Sequence, residues 1–319
     1  MMNFQLRHNL LIATFIIVII ATMWLLMKGL SYSFGILQQK EIPVATQSEV
    51  LDKEVAYVEK IVNFSLQEFN AQQELTHFVK AKYFYNFKNL PTLLIDPTVT
   101  TFDKQGGEDF TLSSKRAHYL DSGELKFMGK VDVSSSDGMT HKINTQELLI
   151  DTNTDDLTSK KEVTYLGESA KIIAQGMRMK TKLNKMKLVG DTTIYQNSGQ
   201  KVLTKDLFVD QSNNQKHYYS DHKTTYLSTQ NKIYAQGIDM NMQTDITQLL
   251  GAVKILQDSG SIIDSKDLIL DQTKGAEVYR TEQKIHYQSS VADIRAKSMY
   301  YDAARQKIKF SGGVVGRYD

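Results

Sequence analysis

Asp151-x-Asn153-x-Asp155, with Glu162 at the twelfth place, has the oxygen-ligand spacing of a calcium-binding loop. The sixth place of such a loop needs Gly for its sharp bend, and here it is Asp156. Both flanks alternate like strands, whereas the calcium loop sits between helices, so the stretch reads as a polar turn between strands. The seven His are scattered, with His118, His141, His217 and His222 in separate strands or turns, and no H-E-x-x-H places two on one helix face. No G-x-S-x-G elbow or P-loop occurs, and the absence of Cys removes disulfides, Cys-ligated metals and a thiol nucleophile. Carboxylates are plentiful but none has an adjacent base or nucleophile; a glycosidase-type pair is the one enzymatic arrangement that spacing leaves open. No catalytic residue, metal or cofactor is assigned on these grounds.

Charge narrows the classes further. Lys plus Arg is 38 and Asp plus Glu is 36, a balance that argues against nucleic-acid binding, which needs a surplus of positive charge along a phosphate backbone.

The elements that would position any site begin with an uncharged run at 10–27, LLIATFIIVIIATMWLLM. At about 1.5 Å per residue it spans about 27 Å, close to the hydrocarbon core of a bilayer. Trp24 sits near one end, as interfacial Trp does, and Ser31-Tyr32-Ser33 is a poor cleavage site, so an uncleaved anchor is preferred to a signal peptide. The expected organisation is a cytoplasmic head at 1–9 and a transmembrane helix at 10–28. A linker follows at 29–60, with a short helical stretch near Glu49–Lys60, and the bulk of the chain lies on the exported side.

From about 61 the apolar period becomes two: Val62, Phe64 and Leu66 alternate with Asn63 and Ser65, the mark of half-buried strands. Prolines stop at Pro97, which leaves a long stretch free to pair. Turn chemistry falls at Gln105-Gly106-Gly107, Asp137-Gly138, Asn197-Ser198-Gly199 and Asp258-Ser259-Gly260.

A single offset runs through the chain. KIIAQGMRMK at 171–180 returns as KIYAQGIDMN at 232–241. Gly129, Gly190, Gly251 and Gly312 share the same 61-residue spacing, as do Gly138, Gly199 and Gly260, and Tyr165, Tyr226 and Tyr287. Apolar i, i+2 pairs such as Leu207/Val209 and Ile238/Met240 recur about every 30 residues, so the 61-residue period is a double repeat. Units this small cannot bury an apolar face alone, and stacking makes a continuous core. The expected fold is mainly β: an elongated pair of facing sheets built from stacked short strands. The glycine of Ala-Gln-Gly is expected to give backbone room rather than to touch a ligand. The inward residues are open to two readings, a plain core or two apolar walls that cradle a lipid. Met177, Met179, Met186, Met240 and Met242 would give such walls an adaptable lining.

Specific blocks carry a resemblance. PTVTTFDKQGGEDFTLSSKRA at 97–117, LKFMGKVDV at 125–133, VTYLGESAKIIAQGMRMK at 163–180 and the Tyr-rich YFYNF at 83–87, together with the N-terminal apolar run, are similar to the lipopolysaccharide-export LptC family. The Pro-x-x-Thr-Thr-Phe-Asp run at 97–103 is the most specific piece, and Gly-x-Val-x-Val at 129–133 is shared more widely with LptA-like proteins. The resemblance covers about residues 5–200. It implies a single inner-membrane helix followed by a periplasmic twisted β-jellyroll at 61–200, a non-enzymatic role, and lipopolysaccharide as cargo. It further implies an LptB2FG-type ABC transporter and an LptA-like bridge protein as partners. The groove lining it implies is Phe64, Leu94, Phe102, Val131, Val133, Met177, Met179 and Leu188. Residues 201–319 exceed the usual length of the family and stay in phase with the repeat, so they are expected to continue the same β-jellyroll. The last strand, from Ile308 through Phe310 to Val314 and Val315, is expected to offer an open edge to a partner. The alternatives are a membrane-tethered scaffold that carries no lipid and, less favoured, a polysaccharide-degrading β-helix.

Overall fold

A computed structural model describes residues 56–318 apart from 71, 104, 121, 136–140, 152–153, 155, 181–182 and 213–215. These residues are mainly β, and every strand pairing is antiparallel. The expected head, membrane helix and most of the expected linker lie outside the described residues. Among the described residues no helix is long and apolar enough to cross a membrane.

The chain divides into two units. The first takes the described residues up to Gly129 and those of 150–154; the second takes 130–149 and the described residues from 156 onward.

Unit 1 holds β1 (Tyr57–Phe69), β2 (Leu75–Phe87), β3 (Thr92–Ile95), β4 (Thr98–Phe102), β5 (Glu108–Ser113), β6 (Arg116–Tyr119) and the first half of β7 (Glu124–Ser135). Residues 57–60, expected at the end of a helical stretch, are strand. Tyr57, Val58, Ile61 and Val62 suit a pleated surface, and their pairing with β2 from Tyr57↔Phe87 onward decides the matter. β2 is long enough to serve two partners. Its Tyr83–Tyr85 segment pairs with β3 and its His77–Lys80 segment with β4. The short strands part at Asp96-Pro97, where Asp96 has φ 49°.

Unit 2 repeats this forked plan. Its long strands are β8 (His141–Asp151), β11 (Ala170–Lys180), β12 (Lys185–Gln196), β13 (Lys201–Asp210), β18 (Ile246–Gln257) and β19 (Ile262–Asp271). The short strands before residue 242 are β9 (Asp156–Ser159), β10 (Val163–Gly167), β14 (His217–Ser220), β15 (Thr224–Leu227), β16 (Asn231–Ala235) and β17 (Gly237–Asn241). The remaining ones are β20 (Val278–Thr281), β21 (Ile285–Gln288), β22 (Ala292–Ala296), β23 (Ser298–Asp302), β24 (Lys307–Ser311) and β25 (Val315–Tyr318).

Two ladders result. The first runs β8–β10–β11–β12–β13–β15–β16–β18–β19–β21–β22–β25. The second runs β9–β11–β12–β13–β14–β17–β18–β19–β20–β23–β24. Five long strands, β11, β12, β13, β18 and β19, belong to both.

A strand that serves two ladders must bend midway, and the glycine series supplies the bend. Gly129, Gly190, Gly251 and Gly312 have φ of 76°, 78°, 73° and 75°. At Gly190 the register jumps so that Val189 and Gly190 face Asp206 alone, a β-bulge, and Gly251 repeats it against Asp267. Asp206 and Asp267 accept the N–H of Gly190 and Gly251 at 2.7 and 2.8 Å. That bond, then Lys187, holds the Asp206 carboxyl below its ordinary range. Across the bulge the buried set of β13 changes phase, from Val202 and Thr204 to Leu207 and Val209.

The Ala-Gln-Gly echo belongs to the same device. A Cβ on Gly176 would stand 2.9 Å from the Ser159 carbonyl oxygen, and one on Gly237 would stand 2.8 Å from that of Ser220. Gln175 and Gln236 lie over the bulge glycines. Gly190→Ala and Gly251→Ala would bring the new Cβ to 2.9 Å from the Cβ of those glutamines, at a φ that costs an L-residue about 1–2 kcal/mol before the clash. Each variant is expected to lower the urea midpoint by more than Gly260→Ala, whose added carbon meets nothing within 4 Å.

Candidate functional site

The inner faces of the forked strands are the candidate site. In unit 1 one registered row reads Ile61, Phe84, Leu94, Ala117 and Phe127. Ala117 and Phe127 are buried, Leu94 is half-buried, and Phe64 stacks on Phe84 with ring centroids 4.9 Å apart. Phe64 and Leu94 are therefore joined through Phe84. Phe102 is half-buried at the end of β4, beyond a register shift.

In unit 2, Val131 is buried and Val133 half-buried on β7. Met177 faces Leu188, and Leu188 faces Leu207, all three fully buried. On the second ladder Ser220 faces Ile238, Ile238 faces Leu249 and Leu249 faces Leu268, and further on Thr281 faces Met299; Ser220 and Thr281 are buried polar steps among these apolar residues. Met179, half-buried, faces Met186 one row over. Each fully buried side chain of this kind contributes about 1.5–3 kcal/mol relative to exposure.

The tyrosine series sets the distance between the two ladders. Tyr165, Tyr226 and Tyr287 all stand on the first ladder, on β10, β15 and β21. Each meets the second ladder or the loop beside it. The Tyr165 hydroxyl accepts from Gln211 Nε2 at 3.0 Å and is hydrogen-bonded with Tyr218. Tyr226 donates to Glu277 at 2.8 Å, and Tyr279 donates to the other oxygen of the same carboxylate. Tyr287 packs against Phe310 with centroids 5.5 Å apart. Gln200 Nε2 also donates to Glu277, at 3.0 Å. The crossbars at Tyr165 and at Tyr226 are polar bolts inside an apolar interior, and the one at Tyr287 is a ring contact.

Sequence reasoning found the tyrosines as a repeat but missed their partners. Gln211 and Gln272 share the 61-residue offset, as do Tyr218 and Tyr279, and that was the available signal. Glu277 had none, because its counterpart is Lys216, which pairs with Glu168 instead.

At the other end, Ile308 and Phe310 lie on β24, facing Tyr301 and Met299, and both are half-buried. Val314 is 50% exposed and falls between strands. The stretch expected as one strand is two, one in each ladder, because Gly312 and Gly313 (φ 75° and 66°) turn the chain between them. Of the calcium-like stretch, Asn153 and Asp155 lie outside the described residues, while β8 and β9 flank it as strands. Among the described residues no group of three or more His, Asp or Glu could hold a metal ion.

A family model described as lipopolysaccharide-assembly, LptC-related, matches residues 16–197. The match covers more than half of the chain, and the chain belongs to the LptC family. Membership supports a role in lipopolysaccharide transport. No curated protein matches the chain.

Burial, reinforced by the Glu277 charge, pushes the Tyr226 and Tyr279 hydroxyls far above their ordinary value; burial and then Tyr165 do the same for Tyr218. A pKa raised on folding gives stability that is complete below the unfolded value of about 10 and is lost as pH rises above it. The urea midpoint is therefore expected to fall above about pH 10, and Tyr226→Phe is expected to flatten that fall while lowering stability at neutral pH.

Proposed function

We propose that the chain is the membrane-anchored periplasmic component of a lipopolysaccharide export system. In this reading the run at 10–28 anchors the chain in the inner membrane, and the ladders form the β-jellyroll of the family. The inner faces accept acyl chains from an LptB2FG-type transporter and hand them toward an LptA-like bridge protein. Acyl chains gain about 25 cal/mol per Å² of surface removed from water, which is what an apolar wall offers them. The role is carriage rather than catalysis.

The observation that carries this reading is the row Met177–Leu188–Leu207–Ile238–Leu249–Leu268. It passes from the family-matched residues into 201–319 and stays apolar on both sides of one polar step, the buried Ser220 of β14 that faces Ile238. The extension is thus read as more of the same wall. Groove lining is assigned to Phe64, Leu94, Phe102, Val131, Val133, Met177, Met179 and Leu188, and the docking edge to Ile308, Phe310 and Val314.

A second reading has its own support. The Tyr226–Glu277–Tyr279 crossbar, one carboxylate shared by two phenols, lies across the interior of the extension. The extension would then be a closed scaffold, with lipid confined to the family-matched part.

Photo-crosslinkers at Met177 and at Met240 separate the two. Capture of lipopolysaccharide at both positions is expected for a continuous conduit; capture at Met177 alone supports the scaffold reading. Val131→Asp is expected to abolish lipid capture at Met177 while the chain stays in the membrane fraction. Undiminished capture in that variant would remove Val131 from the lining.

A further inference from the structure

The outer face of unit 1 departs from the apolar-in, polar-out rule that antiparallel sheets follow. One registered row on that face reads Lys60, Tyr85, Leu93, His118 and Lys126. The next reads Val62, Tyr83, Ile95, Arg116 and Met128. Neither row holds a carboxylate. These rows alternate along each strand with the inner row that holds the buried Ala117 and Phe127; Leu93 is itself buried, and the exposed part of the face is its β1–β2 side.

The aromatic and basic groups are arranged together rather than scattered. Tyr57, Tyr83 and Phe87 each stand against Tyr85, at 5.7, 6.0 and 6.2 Å between centroids. Lys60 Nζ lies 5.3 Å from the Tyr83 ring and 5.6 Å from the Tyr85 ring. Val58 and Val62 are 68% and 57% exposed beside them. Burial, then Arg116 and Lys126, lowers the His118 pKa, which places the three basic groups in one another's field.

We infer that this face rests on an anionic lipid surface. Tyrosine rings with an apolar body and a polar tip settle at headgroup depth, and Lys and Arg beside them gain about 1 kcal/mol each near an anionic leaflet. The β1–β2 side of the face combines all three ingredients a bilayer interface recognises: exposed valines, a tyrosine cluster and a basic side chain beside the rings, Lys60. The lysine that caps the rings keeps its stem on apolar surface and its head free for a phosphate. An acidic protein would match the charge but not the exposed valines. The chain enters unit 1 at β1, downstream of the run at 10–27; proximity to a bilayer rests on reading that run as an anchor, whereas recognition of anionic lipid does not.

The chain has no Cys, so one probe can be placed cleanly. The full-length chain carrying a bimane on Val62→Cys is mixed with vesicles of phosphatidylcholine with or without phosphatidylglycerol, each doped with a headgroup quencher. The same label on Leu203→Cys, exposed in unit 2, is the reference. Quenching at Val62 is expected to exceed that at Leu203 several-fold in phosphatidylglycerol vesicles. It is expected to fall toward the reference with Lys60→Glu, an exposed site, and with added salt in the unaltered chain. Equal quenching at the two positions, or quenching at Val62 indifferent to phosphatidylglycerol and salt, would overturn the inference. So would protection of the label by an acidic protein but not by vesicles. Flotation keeps the anchor separate: a chain that floats only with phosphatidylglycerol vesicles upholds the face and refutes the anchor.

Discussion

Among the described residues the long strands β2, β11, β13, β18 and β19 each have to hydrogen-bond to two short partners at once. A flat strand cannot: its two halves would share one sheet, and the side chains of both would alternate in one phase. The left-handed glycine and the aspartate opposite it break that phase. Gly190 faces Asp206 and Gly251 faces Asp267, and each aspartate accepts the glycine N–H directly. One bulge therefore bends the strand, resets which residues point inward, and satisfies the backbone donor that the bend would otherwise leave bare. The rest follows from it. Once half a strand belongs to each ladder, the two inner faces of unit 2 bury each other, and rows such as Met177–Leu188–Leu207 become continuous.

The crossbars then fix how close the ladders come. Phenols reach further than aliphatic side chains, and a carboxylate shared by Tyr226 and Tyr279 sets a definite separation between their strands. This creates a tension with lipid passage. An apolar wall suits acyl chains, yet a fully buried interior bolted by tyrosine hydroxyls has no room for them as it stands. Unit 1 differs: Phe64, Leu94 and Phe102 are only half-buried, and its inner row has no bolt of that kind among the described residues. If the conduit extends beyond the family-matched residues, the bolts are what must yield. Breaking a hydrogen-bonded buried network leaves its members desolvated, so such yielding is favourable only when the entering chain replaces the lost burial.

Much of this was legible beforehand, for physical reasons. Period two survives any turn chemistry, so the β class was readable from Val62, Phe64 and Leu66 onward. The offset was readable because the bulge admits only glycine: a Cβ on Gly190 or Gly251 collides with the glutamine beside it. What was not readable is long-range. Glu277 contacts Tyr226 across 51 positions of sequence, and nothing local marks it. The break at Gly312-Gly313 was hidden because β24 and β25 read as one alternating run. The outer face of β2 was hidden in plain sight: YFYNF was noted for its resemblance, while its role as a face depends on Lys60 and His118, brought beside it only by pairing.

The proposed conduit requires that the interior of unit 2, closed by its crossbars in this structure, open when lipid enters. Spin labels on Tyr234→Cys and Gln248→Cys, outward positions on β16 of the first ladder and β17-facing β18 of the second, report the separation of the two walls directly. Electron–electron distance measurement in the free chain should give one short, narrow distribution. Addition of lipopolysaccharide is expected to move it outward by about the thickness of a hydrocarbon chain. An unchanged distribution, under conditions where lipopolysaccharide is captured at Met240, would contradict the claim.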